Sequence, residues 1–121
     1  MALHKKILVV DDDPGILEVM AIILGDAGYD IETARSGDIV YDTGKDSPDL
    51  FLLDIWMSGR DGCTLCRYIK STKQFTNVPV ILVSANQNGA ELARAARADD
   101  FIAKPFDIDL LLAKVAQYLP N

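Results

Sequence analysis

Three stretches of this chain, Ile7 to Val10, Leu50 to Leu53 and Val80 to Val83, are apolar at every position. A strand with one wet face alternates apolar and polar residues. Runs without alternation belong to strands covered on both sides, as in a parallel sheet flanked by helices. Two shorter runs extend the set: Phe101 to Ala103, and the weaker Asp30 to Thr33. Between these runs the spacing turns helical. Ile16, Leu17, Met20, Ile23, Leu24 and Ala27 recur three and four apart, behind Asp13 as N-cap and Pro14 at the first helical position. Asn88 with Glu91 reads as a capping box opening a helix through Ala96. Asp107 caps a last helix that buries Ile108, Leu111, Leu112, Val115 and Leu119. Gly37 to Lys45 should supply a second helix, although Ile39, Val40, Thr43 and Gly44 form helices poorly. The expected class is α/β: a doubly wound, five-stranded parallel sheet with helices on both faces. The 121 residues support one core and not two, so residues 1–121 are expected to form a single domain.

Charge narrows the partners. A net charge of −6, without clustered Lys and Arg, argues against nucleic-acid binding through this domain. The apolar stretch after Met1-Ala2-Leu3-His4-Lys5-Lys6 is too short for a signal peptide or a membrane span, which predicts a cytoplasmic protein with no membrane attachment. Cys63 and Cys66 form a Cys-x-x-Cys. Zinc would need four ligands and His4 is the only other soft candidate. Positions three apart fall on one face of a helix, so the pair is expected to be small core residues.

In a doubly wound fold, ligands bind beyond the carboxyl ends of the strands. The first run ends on Asp11, Asp12 and Asp13, the next on Asp54, the fourth on Ser84 and the fifth on Lys104. Asp13 is spent on the helix cap, which leaves Asp11, Asp12 and Asp54 near one another. Such carboxylates repel, and Lys104 neutralises only part of the charge. A hard divalent cation is the natural remedy, and Mg²⁺ takes one or two carboxylates while keeping sites for water and phosphate oxygens. The set reads as a phosphoryl-transfer site with Asp54 as nucleophile, Lys104 holding phosphoryl oxygens and Ser84 donating a hydrogen bond.

Val9-Val10-Asp11-Asp12-Asp13-Pro14, Leu53-Asp54, Asp61-Gly62, Val83-Ser84-Ala85 and Lys104-Pro105-Phe106 occur in order and at suitable spacing. With these motifs the chain resembles a response-regulator receiver domain of flavodoxin-like fold, from Lys6 to Leu119. The resemblance implies a two-component or phosphorelay role, in which Asp54 accepts a phosphoryl group from a phosphohistidine on a sensor histidine kinase or phosphotransfer protein. It implies Mg²⁺ ligation by Asp12, Asp54 and the backbone carbonyl of Trp56, with Asp11 close by or acting through water. Ser84 and Phe101 would be the switch pair, Lys104 the phosphoryl contact, and Lys104-Pro105 a cis peptide. Such a domain is not an enzyme acting on a free substrate; it assists its own phosphorylation and dephosphorylation. Its partners downstream would be an output domain or protein, or a second copy through the face of the fourth helix, fifth strand and last helix. That face would carry Arg94, Arg97, Asp99, Asp100 and Asp109.

Departures from the family pattern bear on behaviour. Ser58 stands where proline is frequent, so the loop after Asp54 is expected to be more mobile. Phe101 replaces a common tyrosine and offers no hydroxyl. Arg97 stands where glycine is usual, which predicts strain if φ is positive there. By resemblance, Trp56 and Asn86 occupy positions that flank the path of the hydrolytic water and should set the lifetime of the phosphorylated state. Two other classes fit less well. A Mg²⁺-dependent phosphohydrolase of haloacid-dehalogenase type wants a second Asp where Trp56 stands, and a flavodoxin-like FMN binder would set its phosphate against Asp11-Asp12-Asp13. A pseudo-receiver that docks partners without phosphorylation would not need Asp12, Asp54, Ser84 and Lys104 together.

Overall fold

The computed structural model describes residues 4–42, 47–57 and 61–120. Its elements alternate: β1 (Lys6–Val10), α1 (Pro14–Asp26), β2 (Asp30–Ala34), α2 (Asp38–Tyr41), β3 (Leu50–Asp54), α3 (Gly62–Ser71), β4 (Val80–Ser84), α4 (Gly89–Ala95), β5 (Asp100–Ala103) and α5 (Ile108–Tyr118), with a single 3₁₀ turn at Lys73–Phe75. All strands are parallel, in the order β2-β1-β3-β4-β5. The three fully apolar runs are the three central strands, and every residue of β3 and β4 is buried. The outer strands β2 and β5 are only partly covered, which is why their apolar signal is short or weak.

The pleat sends alternate residues into two cores. On one side Leu8, Val10, Phe51, Leu53, Val80 and Leu82 meet Leu65, Cys66 and Ile69 of α3 and Ala93 of α4. On the other, Ile7, Val9, Leu50, Leu52, Ile81, Val83 and Ile102 meet Leu17, Met20 and Leu24 of α1 and Leu111 and Val115 of α5. Cys63 and Cys66 are free, buried thiols of the first core. Burial pushes the Cys66 thiol up to about 12, so it is the opposite of a reactive thiolate.

The caps on α1 and α5 match the sequence reading. Asp13 accepts from Gly15 N (2.9 Å) ahead of Pro14, and Asp107 accepts from Asp109 N (2.8 Å). The capping box at α4 does not form. Asn88 makes no side-chain cap; its own N–H instead donates to Asn86 Oδ1 (3.1 Å), and Ala96 is the C-cap rather than the last helical residue. The second helix spans four residues rather than nine, consistent with its poor formers, and Thr43, Gly44 and Lys45 lie outside the described residues. Ser58 lies outside them too. Arg97 takes a positive φ of 67°, and Lys104-Pro105 is cis. Among the described residues no helix is long and apolar enough to cross a membrane.

Candidate functional site

The strand order reverses between β1 and β3, so the chain leaving those two strands departs to opposite sides and opens a crevice at their carboxyl ends. Asp11 is the first residue beyond β1 and is 3% exposed. Its Oδ1 accepts from Asp13 N (3.0 Å) and its Oδ2 from Lys104 Nζ (2.8 Å), so the carboxylate is aimed by the turn that starts α1. Asp54 closes β3 and is 6% exposed, with Oδ1 at 3.3 Å from the same Lys104 Nζ. Lys104 follows β5, and its backbone N–H donates to Ser84 O (2.9 Å), which ties it to the end of β4. One ammonium therefore bridges two carboxylates drawn from different strands.

Asp12 is half-buried beside them, and one oxygen from each of Asp11, Asp12 and Asp54 lies within 4.8 Å of the others. Burial, then repulsion from Asp11, pushes the Asp54 carboxyl up from 3.8 to about 6, against the pull of Lys104. Burial opposes the Lys104 charge, but hydrogen bonding and attraction from Asp11 and Asp54 outweigh it and hold its pKa above the ordinary value. The site is short of positive charge. It is also open: a cleft of about 420 Å³ is lined by Asp54, Trp56, Ser84, Ala85, Asn86 and Lys104. Trp56 is 55% exposed at the rim, and Ser84 is buried with its Oγ accepting from Asn86 N (3.0 Å).

Glycine lets α3 start hard against the end of β3. A Cβ on Gly62 would stand 2.9 Å from both the carbonyl carbon of Asp54 and Cα of Ile55, distances no methyl group tolerates. Asp61 caps the helix there, accepting from Cys63 N (2.7 Å), and Gly62 N donates back to Ile55 O (2.8 Å). The sequence reading missed this close approach. It also missed a second one at Gly89, whose Cα faces the ring of Phe101. Both glycines open helices at a position where alanine would form helix better, and that surplus of glycine was the available signal.

The charged set expected on the outer face divides. Asp99, although exposed, pairs with Lys70 Nζ (2.6 Å) and accepts from Val80 N (2.7 Å), and Asp100 pairs with Lys114 (2.8 Å). Arg97 borders α3 beside Arg67 and Lys70 rather than β5. Arg94, Asp99 and Asp100 nevertheless line one groove beside Phe101 of β5, and Asp109 is exposed in the first turn of α5.

Residues 7–116 match the family model described as the response regulator receiver domain. This chain belongs to the response-regulator receiver family. The receiver is 32% identical over 117 residues to the DNA-binding dual master transcriptional regulator RpaA of Synechocystis, covering 94% of this chain and 48% of that protein. The chain thus spans about half the length of that curated relative. It superposes with a TM-score of 0.92 on a protein assigned as a response regulator of Chloroflexus aurantiacus, at 28% identity over 98% of this chain and 100% of the other. A receiver domain of a signal transduction histidine kinase from Syntrophus aciditrophicus matches with a TM-score of 0.87 at 33% identity, over 95% of this chain and 89% of that one. Receivers of this kind thus occur both in regulators and in sensor kinases, and the cleft carries the acidic cluster through which the family generally binds Mg²⁺.

Proposed function

We propose that this receiver accepts a phosphoryl group on Asp54 from the phosphohistidine of a sensor kinase or phosphotransfer protein, in a reaction that requires Mg²⁺, and that the change alters a partner-binding surface. The observation that carries this reading is the position of Asp54: a nearly buried carboxylate at the floor of an open cleft, 3.3 Å from an ammonium and next to two further carboxylates. A carboxylate oxygen of Asp54 attacks phosphorus, the P–N bond to the donor imidazole breaks, and an acyl phosphate forms on Asp54. Lys104 favours the ionised, nucleophilic form and lies within reach of the incoming phosphoryl oxygens. Ser84 Oγ accepts from Asn86 N, and among the described residues its hydroxyl proton has no acceptor, which leaves it to donate.

The donor set fits Mg²⁺, which is held by hard oxygens and suits a cleft in which three carboxylates face one ammonium. Asp11, Asp12, Asp54 and the Trp56 backbone carbonyl are its proposed holders. When bound it supplies the positive charge that phosphoryl oxygens require. Trp56 and Asn86 at the rim screen the approach of water to the acyl phosphate, so the domain governs its own dephosphorylation. A cytoplasmic setting, among kinase and output partners, completes this reading.

The decisive experiment is intact-protein mass after incubation with acetyl phosphate, with and without Mg²⁺, beside Asp54→Asn. A single Mg²⁺-dependent phosphoryl adduct is expected, absent from the variant. Failure to form it under any of these conditions would leave a docking module that works without phosphorylation.

A further inference from the structure

α4 is a poor helix at its start. It opens on Gly89, the residue least suited to a helix interior after proline, and Asn88 supplies no side-chain cap. Something other than local preference must place it. The Phe101 ring lies where the Gly89 side chain would be: a Cβ there would stand 2.6 Å from Cε1 and closer still to Cζ, and 3.4 Å from Cβ of Ser84. The ring from β5, the first turn of α4 and the hydroxyl-bearing residue of β4 thus share one small volume. The rest of the adjoining groove is lined by Ala90, Ala93, Arg94, Ala98, Asp99 and Asp100.

We infer that Gly89 is the positioning residue of the Ser84–Phe101 switch: its missing side chain is the berth in which the ring rests, and ring occupancy of that berth couples the phosphorylation loop to α4. The inference rests on the phosphoacceptor reading for its purpose, but the berth itself is a property of the unmodified protein. A side chain at position 89 penalises the resting pose of the ring, and it does so only while a ring is there. Gly89→Ala should therefore tilt the domain toward the form stabilised by a phosphoryl mimic, and should lose that effect once Phe101 is truncated.

The test is a double-mutant cycle on the whole chain with Gly89→Ala, Phe101→Ala and both together. The probe is beryllofluoride with Mg²⁺, and its affinity is read from Trp56 fluorescence. Gly89→Ala is expected to bind the probe about fivefold tighter than the parent, whereas Phe101→Ala alone and the double variant should differ by no more than about 1.5-fold. Equal effects of Gly89→Ala in both backgrounds would overturn the inference, because a helix-propensity gain needs no ring. An independent arm uses no phosphate chemistry: nuclear Overhauser contacts between Phe101 ring protons and Gly89 Hα in the unliganded parent. Their presence is expected, and their absence would overturn the berth whatever Asp54 does. If those contacts are present while no preparation takes up beryllofluoride, the phosphoacceptor reading fails and the berth stands.

Discussion

At Asp54 burial raises the cost of a charged carboxylate, Asp11 adds repulsion, and Lys104 recovers part of both. The balance leaves the folded-state pKa near 6 against an ordinary 3.8, so between those values the folded protein holds a proton that the unfolded chain has released. Stability from this carboxyl is therefore complete below about pH 4 and is lost as pH rises through about 6. Without metal, Asp54→Asn should be more stable than the parent at neutral pH by about 1–3 kcal/mol and should lack that slope. Urea unfolding in EDTA from about pH 4 to 7.5 checks both, and Mg²⁺ should narrow the gap by stabilising the parent alone. The meeting of Asp11, Asp54, Ser84 and Lys104 at one end of the sheet was legible because each ends or follows a strand, and strand ends can be read from apolar runs. The pairing of Asp99 was not: its ion pair with Lys70 joins residues 29 apart in sequence, which no local pattern encodes.

Helix ends impose the next set of constraints on the fold. α1 and α4 finish in the same way: Gly28 N and Tyr29 N return to Gly25 O and Leu24 O, and Arg97 N and Ala98 N return to Arg94 O and Ala93 O. The pattern needs a left-handed residue, supplied by Gly28 at φ 103° and by Arg97 at φ 67°. Arginine adopts that conformation at a cost of about 1–2 kcal/mol, partly offset by the stiffer unfolded chain relative to glycine. Arg97→Gly should accordingly stabilise the protein by about 0.5–1 kcal/mol, whereas Gly28→Ala should cost about 1 kcal/mol. Thermal unfolding of both variants checks the pair. At the start of α3 the constraint is steric. Gly62→Ala must push the helix off the end of β3, so a loss of about 2 kcal/mol or more is expected, with slower phosphorylation of a displaced Asp54. The sequence located α1 and α5 well because an acid N-cap and an apolar stripe agree there, although Ile108, expected in the core, is 50% exposed at the first position of α5. It placed the N-cap of α4 at Asn88 correctly but not the capping box, because Asn88 and Glu91 have the right spacing while Asn86 claims the Asn88 N–H.

Across the whole molecule the two cores on either side of the sheet join β1, β3 and β4 to helices from both ends of the chain, so the central sheet is expected to open as one unit. Cys63 and Cys66 report on this. Both are buried, and their Sγ atoms face Leu92 O (3.8 Å) of α4 and Ala96 O (3.4 Å) at its C-cap. Thiol-reactive dye should label them only at the rate of global opening, both together, and far faster in denaturant; labelling of Cys66 in the native state at the rate of a free thiol would contradict a cooperative α3–α4 core. The topology also fixes an order of events during synthesis. The carboxylates of Asp11 and Asp54 leave the ribosome well before Lys104, the cation that pairs with both, and Lys104 follows an edge strand whose one neighbour in the sheet is β4. Until that strand docks, closing the sheet would bury two like charges without their counterion. The chemistry of the site thus withholds the finished fold until nearly the last residue of the sheet has been made, and a chain released before β5 should be a client for chaperones rather than a slightly shortened receiver.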